Sequence, residues 1–329
     1  MIVIGGGIIG LTCAWRLSQA GREVEVYEAK KCGGEASWAA AGMLAPGGEM
    51  ESRSPLGEMM LASLRQYPKY IQELQAESGR AIDYRQVGAL EVAFDDAGAE
   101  ELDRKATRQA GIGILSEPAT HNGYYARFYP EDALVDPREI VAALLEALRR
   151  RGVAIREGSG AVSVWPDGSG FDTSKGGIRA EDGLLVAAGA WSGGLHAGLT
   201  PTFPVKGHLA SWTFAPGLIG PILRNGHTYV MQRANGTVLA GSNEERAGFH
   251  RTVRKSAIED LRKRAARLLP ALADRAPEAE WTGFRPGIEA DQPFIGRIPG
   301  TPAFGAFGHY RNGILLAPET GSRLMAALA

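Results

Sequence analysis

The chain opens MIVIGGGIIG, where Gly5, Gly7 and Gly10 fill the three fixed places of a G-x-G-x-x-G run directly after a few apolar residues. In that pattern the first glycine permits a tight strand-to-helix turn, the second lets backbone approach a pyrophosphate, and the third lets the helix pack closely on the strand. The flanks supply the rest of the unit. IIGLTCAWRLSQAG puts Ile9, Cys13, Ala14 and Leu17 on one helical stripe and predicts a left-handed stop at Gly21. REVEVYE then alternates as a strand and ends at Glu28, at the separation of an acid that grips a ribose hydroxyl. A carboxylate there repels an extra 2′-phosphate and favours a free ribose diol, as in NAD or FAD.

The chain has 329 residues, enough for two domains or one large one. Its 36 Lys and Arg nearly cancel its 37 Asp and Glu, which leaves no electrostatic footprint for nucleic acid or an anionic membrane and favours a small-molecule partner. The two cysteines, Cys13 and Cys32, argue against a disulfide framework or a zinc site, so no metal is expected and a reducing cytoplasm fits. No apolar run approaches a membrane span, and the immediate start of the nucleotide turn leaves no room for a signal peptide.

After Glu28, CGGEASWAAAGMLAPGG reads as a short helix passing under a ligand before the chain crosses to a second domain. A helix follows from Pro55 to Gly79, then short strands around Gly88 and a helix over AGAEELDRKATRQAG. VDPREIVAALLEALRRRGV has Asp136 as N-cap, Pro137 at the first helical position, an apolar face from Ile140 to Leu148, and a stop at Gly152. GLLVAAGAWSGGL is a buried strand that returns to the nucleotide unit. FPVKGHLASWTF and HTYVMQRANGTVLAGS have strand composition, and Asn235-Gly236 between alternating runs is a hairpin signal, so an antiparallel sheet is expected. In SAIEDLRKRAARLLP, Ile258, Leu261, Leu268 and Leu269 share a stripe and the basic residues form a solvated face.

With these pieces placed, the sequence resembles the glycine oxidase and D-amino-acid oxidase family of FAD enzymes, above all the glycine oxidases linked to thiamine synthesis. The resemblance rests on VIGGGIIG with Glu28, ASWAAAGMLAP, AAGAWS, GFRPGIEADQPFIGR and GHYRNGILLAPETG, in that order along nearly the whole chain. It implies an α/β fold, with a Rossmann-like FAD domain from residues 1–45, 135–200 and 295–329. The implied α+β substrate domain, built on an antiparallel sheet, takes 46–134 and 201–294.

The resemblance also implies roles for residues. Gly5, Gly7, Ile8, Ile9, Gly10 and Glu28 would hold the nucleotide, and Ala39, Ala40, Ala41, Gly42 and Met43 form the path against which pyrophosphate and flavin lie. Ala188, Gly189 and Trp191 stand beside the cofactor, and the backbone of Val162 meets the adenine. His309, Arg311, Asn312, Gly313 and Ile314 precede a C-terminal helix whose start, just after them, would stabilise negative charge on the flavin. No cysteine lies in that segment, which implies FAD held without a covalent link. Arg285 matches the arginine that pairs with the substrate carboxylate, a two-oxygen grip for which a guanidinium fork is suited and a lysine is not. Tyr229 matches a tyrosine helping to hold that carboxylate. His227, two residues earlier on the expected strand, would project to the same face and line the pocket, and Arg311 stands near flavin and substrate or braces the cofactor loop. Glu244 departs from the pattern, at a rim position that can be apolar in a glycine oxidase.

The implied reaction is FAD-dependent oxidation of glycine or another small amino acid. A hydride passes from the α-carbon to the flavin, the imine is released or hydrolysed, and dioxygen becomes hydrogen peroxide. The absence of a His–carboxylate pair or triad signature agrees with a mechanism that needs no side-chain base. A sarcosine or other secondary-amine oxidase, a flavin dehydrogenase and a non-catalytic flavin scaffold remain alternatives, a nicotinamide dehydrogenase is disfavoured, and a homo-oligomer is compatible with the sequence.

Overall fold

The computed structural model describes residues 1–329. The glycine run sits where a six-stranded sheet meets its first helix. That sheet runs Phe294–Arg297, Phe304–Phe307, Leu184–Val186, Ile2–Ile4, Glu25–Tyr27, Ala154–Arg156, and every neighbouring pair is parallel except the first. The strand–helix–strand reading holds: Ile2–Ile4 leads into helix α1, Ile8–Gln19, the chain reverses at Gly21 with φ of +77°, and Glu25–Tyr27 follows. Helix α2 is the short turn Ala36–Ala39, α3 is Pro55–Ser78, α4 is Asp96–Ala110, α5 is Pro137–Arg150, α6 is Lys255–Leu268 and α7 is Gly313–Ala327.

Local signals set most of these limits. Ser54 caps α3 by accepting from the Gly57 N–H, and Gly79 ends it at φ of +68°. Asp136 caps α5 through the Arg138 N–H, as expected from the D-P pair. The core of this half joins Leu11, Trp15 and Leu17 of α1 with Leu144 and Leu148 of α5, Leu316 and Leu324 of α7, and Tyr67, Tyr70 and Leu74 of α3. Helix α3 therefore packs beside the parallel sheet, although it follows the chain's departure from it.

The second sheet has eight strands in the order Ala279–Ile288, Thr202–Thr213, Thr237–Gly241, Thr228–Gln232, Ile222–Asn225, Ala89–Val92, Tyr124–Tyr129, Glu117–His121. The hairpin at Asn235-Gly236 forms, with Gly236 at φ of +89°. This sheet is not wholly antiparallel, because Ile222–Asn225 runs parallel to Ala89–Val92. The two strands are separated by a long excursion through the first sheet, so no tight turn imposes an antiparallel pairing. The apolar stripe of α6, Ile258, Leu261 and Leu268, is buried as expected, and Leu261 and Leu268 pack with Trp212, Val230 and Val238. A small three-stranded sheet, Met43–Leu44, Ala133–Val135 and Tyr84–Arg85, marks the seam where the chain passes between the two. No helix is long and apolar enough to cross a membrane.

Candidate active site

A cavity of about 570 Å³ runs along this seam, from Glu28 past the start of α1 to the start of α7 and Arg285. The three glycines divide their work. A Cβ at Gly5, whose φ is +114°, would lie 2.3 Å from the Ala187 carbonyl oxygen, and one at Gly10 would lie 1.9 Å from the Gly5 oxygen. These two let helix and strand touch. A Cβ at Gly7 would meet nothing closer than Ser37 Oγ at 3.4 Å, so this glycine keeps the helix start open to the cavity. Ser37 Oγ accepts from the Ile8 N–H at 2.9 Å, and the Glu28 carboxylate accepts from the Gly6 and Lys30 N–H groups at 2.8 and 2.9 Å. Glu28 is thereby fixed at the outer end.

Of the cofactor residues expected from sequence, Gly5, Gly7, Ile8, Ile9, Glu28, Ala39 to Met43, Val162, Ala188, Gly189, Trp191, His309, Arg311, Asn312, Gly313 and Ile314 all line this one cavity. Gly10 does not line it and acts through packing. Helix α7 begins at Gly313, with the Asn312 carbonyl accepting from the Leu316 N–H. The expected start, after Ile314, was thus slightly late, and the correction brings the unpaired N–H groups of the first turn to the cavity wall.

His309 is buried behind that turn, its Nε2 2.9 Å from Thr320 Oγ1. Thr320 donates its hydroxyl proton to the Leu316 carbonyl, so its oxygen accepts and the imidazole carries its proton on Nε2. Burial depresses the imidazole pKa to about 3. The folded protein therefore binds fewer protons here than the unfolded chain, whose histidine titrates near ~6.5. The stability due to a neutral His309 is complete above that pH and falls by up to ~1.4 kcal/mol per pH unit below it. Denaturant midpoints measured from neutral pH downward should fall less steeply in His309→Gln than in the parent.

At the inner end, Arg285 projects from the strand Ala279–Ile288, opposite Val205. A Cβ at Gly207 would lie 2.5 Å from its Nη2, so that glycine makes room for the guanidinium. Nη2 donates to Ser242 Oγ at 2.5 Å and Nη1 to the Asn243 carbonyl at 3.2 Å; both partners are neutral. Tyr229 lies across the strand from Gly241, where a Cβ would come within 2.2 Å of its hydroxyl. Burial raises the Tyr229 phenol pKa against the opposing pull of Arg285 and Arg311, so it remains a protonated donor.

Arg311 has a different environment. Its Nη2 lies 2.8 Å from Glu49, and its Nη1 lies 3.3 Å from Glu244 and 3.0 Å from His227 Nδ1. His227 departs from expectation: it is exposed, lies in the turn before Thr228 and does not line the cavity. The pair Asn225–Thr228 closes a tight hairpin around Gly226 and His227, so the strand Thr228–Gln232 starts one residue too late to include His227. The signal was present in RNGHTYV, whose Asn225-Gly226 is itself a hairpin dipeptide. Ser37, Glu49, Ser242 and Tyr310 were not singled out in the sequence. Ser37 lies within the small-residue segment and Tyr310 within GHYRNG, but nothing local marks Glu49 or Ser242.

The family model described as DAO, FAD dependent oxidoreductase, matches residues 1–328. A glycine oxidase of Pseudomonas aeruginosa is 34% identical over 100% of this chain and 94% of its own length. The bifunctional protein ThiO/ThiG of Synechocystis is 33% identical over 98% of this chain, which spans only 50% of that longer protein. The crystal structure of glycine oxidase from Geobacillus kaustophilus superposes with a TM-score of 0.93 at 30% identity, covering 99% of this chain and 93% of that one.

Proposed function

We propose, since this chain belongs to the family of FAD-dependent oxidoreductases, that it oxidises glycine or a similarly small amino acid to the imine, which water converts to the 2-oxo acid and ammonia. FAD is the cofactor, and the residues present fit it: an open helix start at Gly7, a fixed carboxylate at Glu28 for a ribose diol, and a second helix start at Gly313. When bound, FAD supplies the two-electron acceptor, and dioxygen as final oxidant gives hydrogen peroxide. No cysteine lies between Phe304 and Ala329, in keeping with a non-covalent link. We divide the chain into a cofactor part, 1–45, 135–200 and 295–329, and a substrate part, 46–134 and 201–294, whose helix α3 nevertheless packs into the core of the cofactor part. A place in thiamine synthesis belongs to the same reading.

The observation that carries this reading is Arg285, a half-buried guanidinium on the cavity wall with neutral partners and no paired carboxylate. A cation held this way is completed by an anionic ligand, and its fork suits both oxygens of one carboxylate. The Tyr229 hydroxyl adds a donor on the same chamber, and Ser242 and Asn243 fix the plane of the fork. The titratable groups here are otherwise engaged: His309 is buried with Nε2 on Thr320, Tyr229 stays protonated, and the Glu49 and Glu244 carboxylates are held by Arg311. The amine proton accordingly leaves to solvent as the substrate binds.

The test is the visible spectrum of the purified protein, before and after glycine is added without oxygen. Bleaching of the flavin band is expected. A yellow protein that keeps its colour with glycine, sarcosine and D-alanine would overturn the proposal while leaving the cofactor in place.

A further inference from the structure

Two arginines reach the substrate chamber, and only one is available. Arg285 has neutral partners, whereas Arg311 is held between Glu49 and Glu244 at 2.8 and 3.3 Å. The Tyr310 hydroxyl stands near Glu244, and burial together with this carboxylate pushes its pKa up to about 12. Both guanidinium charges act on the Tyr229 and Tyr310 hydroxyls, so a ligand gripped by Arg285 sits in the field of the Arg311 group as well. The segment Ser242–Glu244 sets both conditions, since Ser242 and Asn243 orient Arg285 and Glu244 occupies Arg311.

From this we propose that Glu244, with Glu49, makes the chamber selective for amines carrying a single anionic group, and that it rejects those with a second carboxylate or comparable anion. The inference rests on the reading of Arg285 as the substrate anchor. The two arginines and two glutamates sum to no net charge, and one substrate carboxylate satisfies Arg285. A second anion finds the remaining guanidinium already paired, with the Glu49 carboxylate on the chamber wall and that of Glu244 on the neighbouring pocket beyond Arg311, in a half-buried setting where repulsion is stronger than in bulk water. It must displace a glutamate or remain unpaired.

The experiment measures acetate and malonate binding to the FAD-loaded protein, read from the flavin absorption spectrum, in the parent and in Glu244→Gln, Glu49→Gln and Glu244→Asp. Removing either rim charge should lower the malonate-to-acetate ratio of Kd by about tenfold, and Glu244→Asp should keep the parent ratio. Should Glu244→Gln lose its flavin, Glu49→Gln decides, together with the parent's own ratio, which added salt should narrow. A ratio unchanged in the glutamine variants overturns the proposal, as does a parent that binds malonate as tightly as acetate. Because binding requires no turnover, a parent that discriminates between the acids but does not oxidise glycine sinks the proposed activity alone. One that oxidises glycine without discriminating sinks this inference alone.

Discussion

Replacing Arg285 by alanine should lower kcat/KM for glycine by about a thousandfold, mostly through KM, in a protein that keeps its flavin and its visible spectrum. A thousandfold corresponds to about 4 kcal/mol, and two charge-assisted hydrogen bonds at roughly 1.5–3 kcal/mol each supply that range. The loss is large for so small a ligand. Even a generous ceiling of about 1.5 kcal/mol per heavy atom limits glycine to near 7 kcal/mol, so more than half of its binding would pass through one side chain. The fold should tolerate the change, because Arg285 makes no ion pair and its partners are a hydroxyl and a carbonyl at the cavity wall. Arg285→Lys keeps the charge but loses the fork, and should fall between alanine and the parent. Steady-state kinetics beside a flavin spectrum separate the outcomes. Unchanged kinetics in Arg285→Ala would remove Arg285 from the substrate site, and a colourless variant would make it a structural residue.

What could be read in the sequence, and what could not, follows from how far each interaction reaches along the chain. The start of α1, the stop at Gly21, the cap at Asp136 and the turn at Gly236 are decided within a few residues, and each forms as expected. The glycine run and Glu28 belong to the same class, since one strand–helix–strand unit holds them all. The rim of the chamber does not. Glu49, Glu244 and Arg311 come from three distant loops, and only the closed seam brings the two carboxylates onto one guanidinium. A sequence gives Arg311 a charge but not its neutralisation. His227 shows the converse: the alternation was sound from Thr228 onward, but a hairpin two residues long removed His227 from the strand and put its ring on Arg311 instead. Helix α3 illustrates the same limit for packing, because its apolar stripe is legible while its partners on α1, α5 and α7 are separated from it by long stretches of chain.

The glycine motif allows a sharper test than loss of activity, because its members fail in different ways. Gly10→Val should give a colourless and markedly destabilised protein. Its Cβ would sit 1.9 Å from the Gly5 carbonyl oxygen and 3.4 Å from the Ala187 Cβ. Gly5 cannot yield, for it is held at φ of +114° with its own Cβ position 2.3 Å from the Ala187 oxygen. The clash sets a Cβ, rigidly fixed to its own backbone, against a backbone oxygen, so relief requires α1 to lift from the strand Ile2–Ile4. Overpacking in a core costs about 1–3 kcal/mol when side chains can adjust, and here the cost should reach or exceed the upper end. Lifting α1 also withdraws its N-terminal N–H groups from the cavity, which removes the feature that suits a pyrophosphate. Gly7→Ala provides the contrast. Gly7 has φ of −76° and ψ of 174°, which any residue adopts, and the new methyl would point at open cavity. That variant should unfold at nearly the parent's denaturant midpoint when both are stripped of flavin, yet bind added FAD at least about tenfold more weakly, because the methyl stands where a phosphate must approach the backbone. If Gly7→Ala bound FAD as the parent does, the pyrophosphate could not lie over this helix start, whatever the motif suggests. If Gly10→Val stayed yellow and stable, the close contact between helix and strand would not be what positions the site.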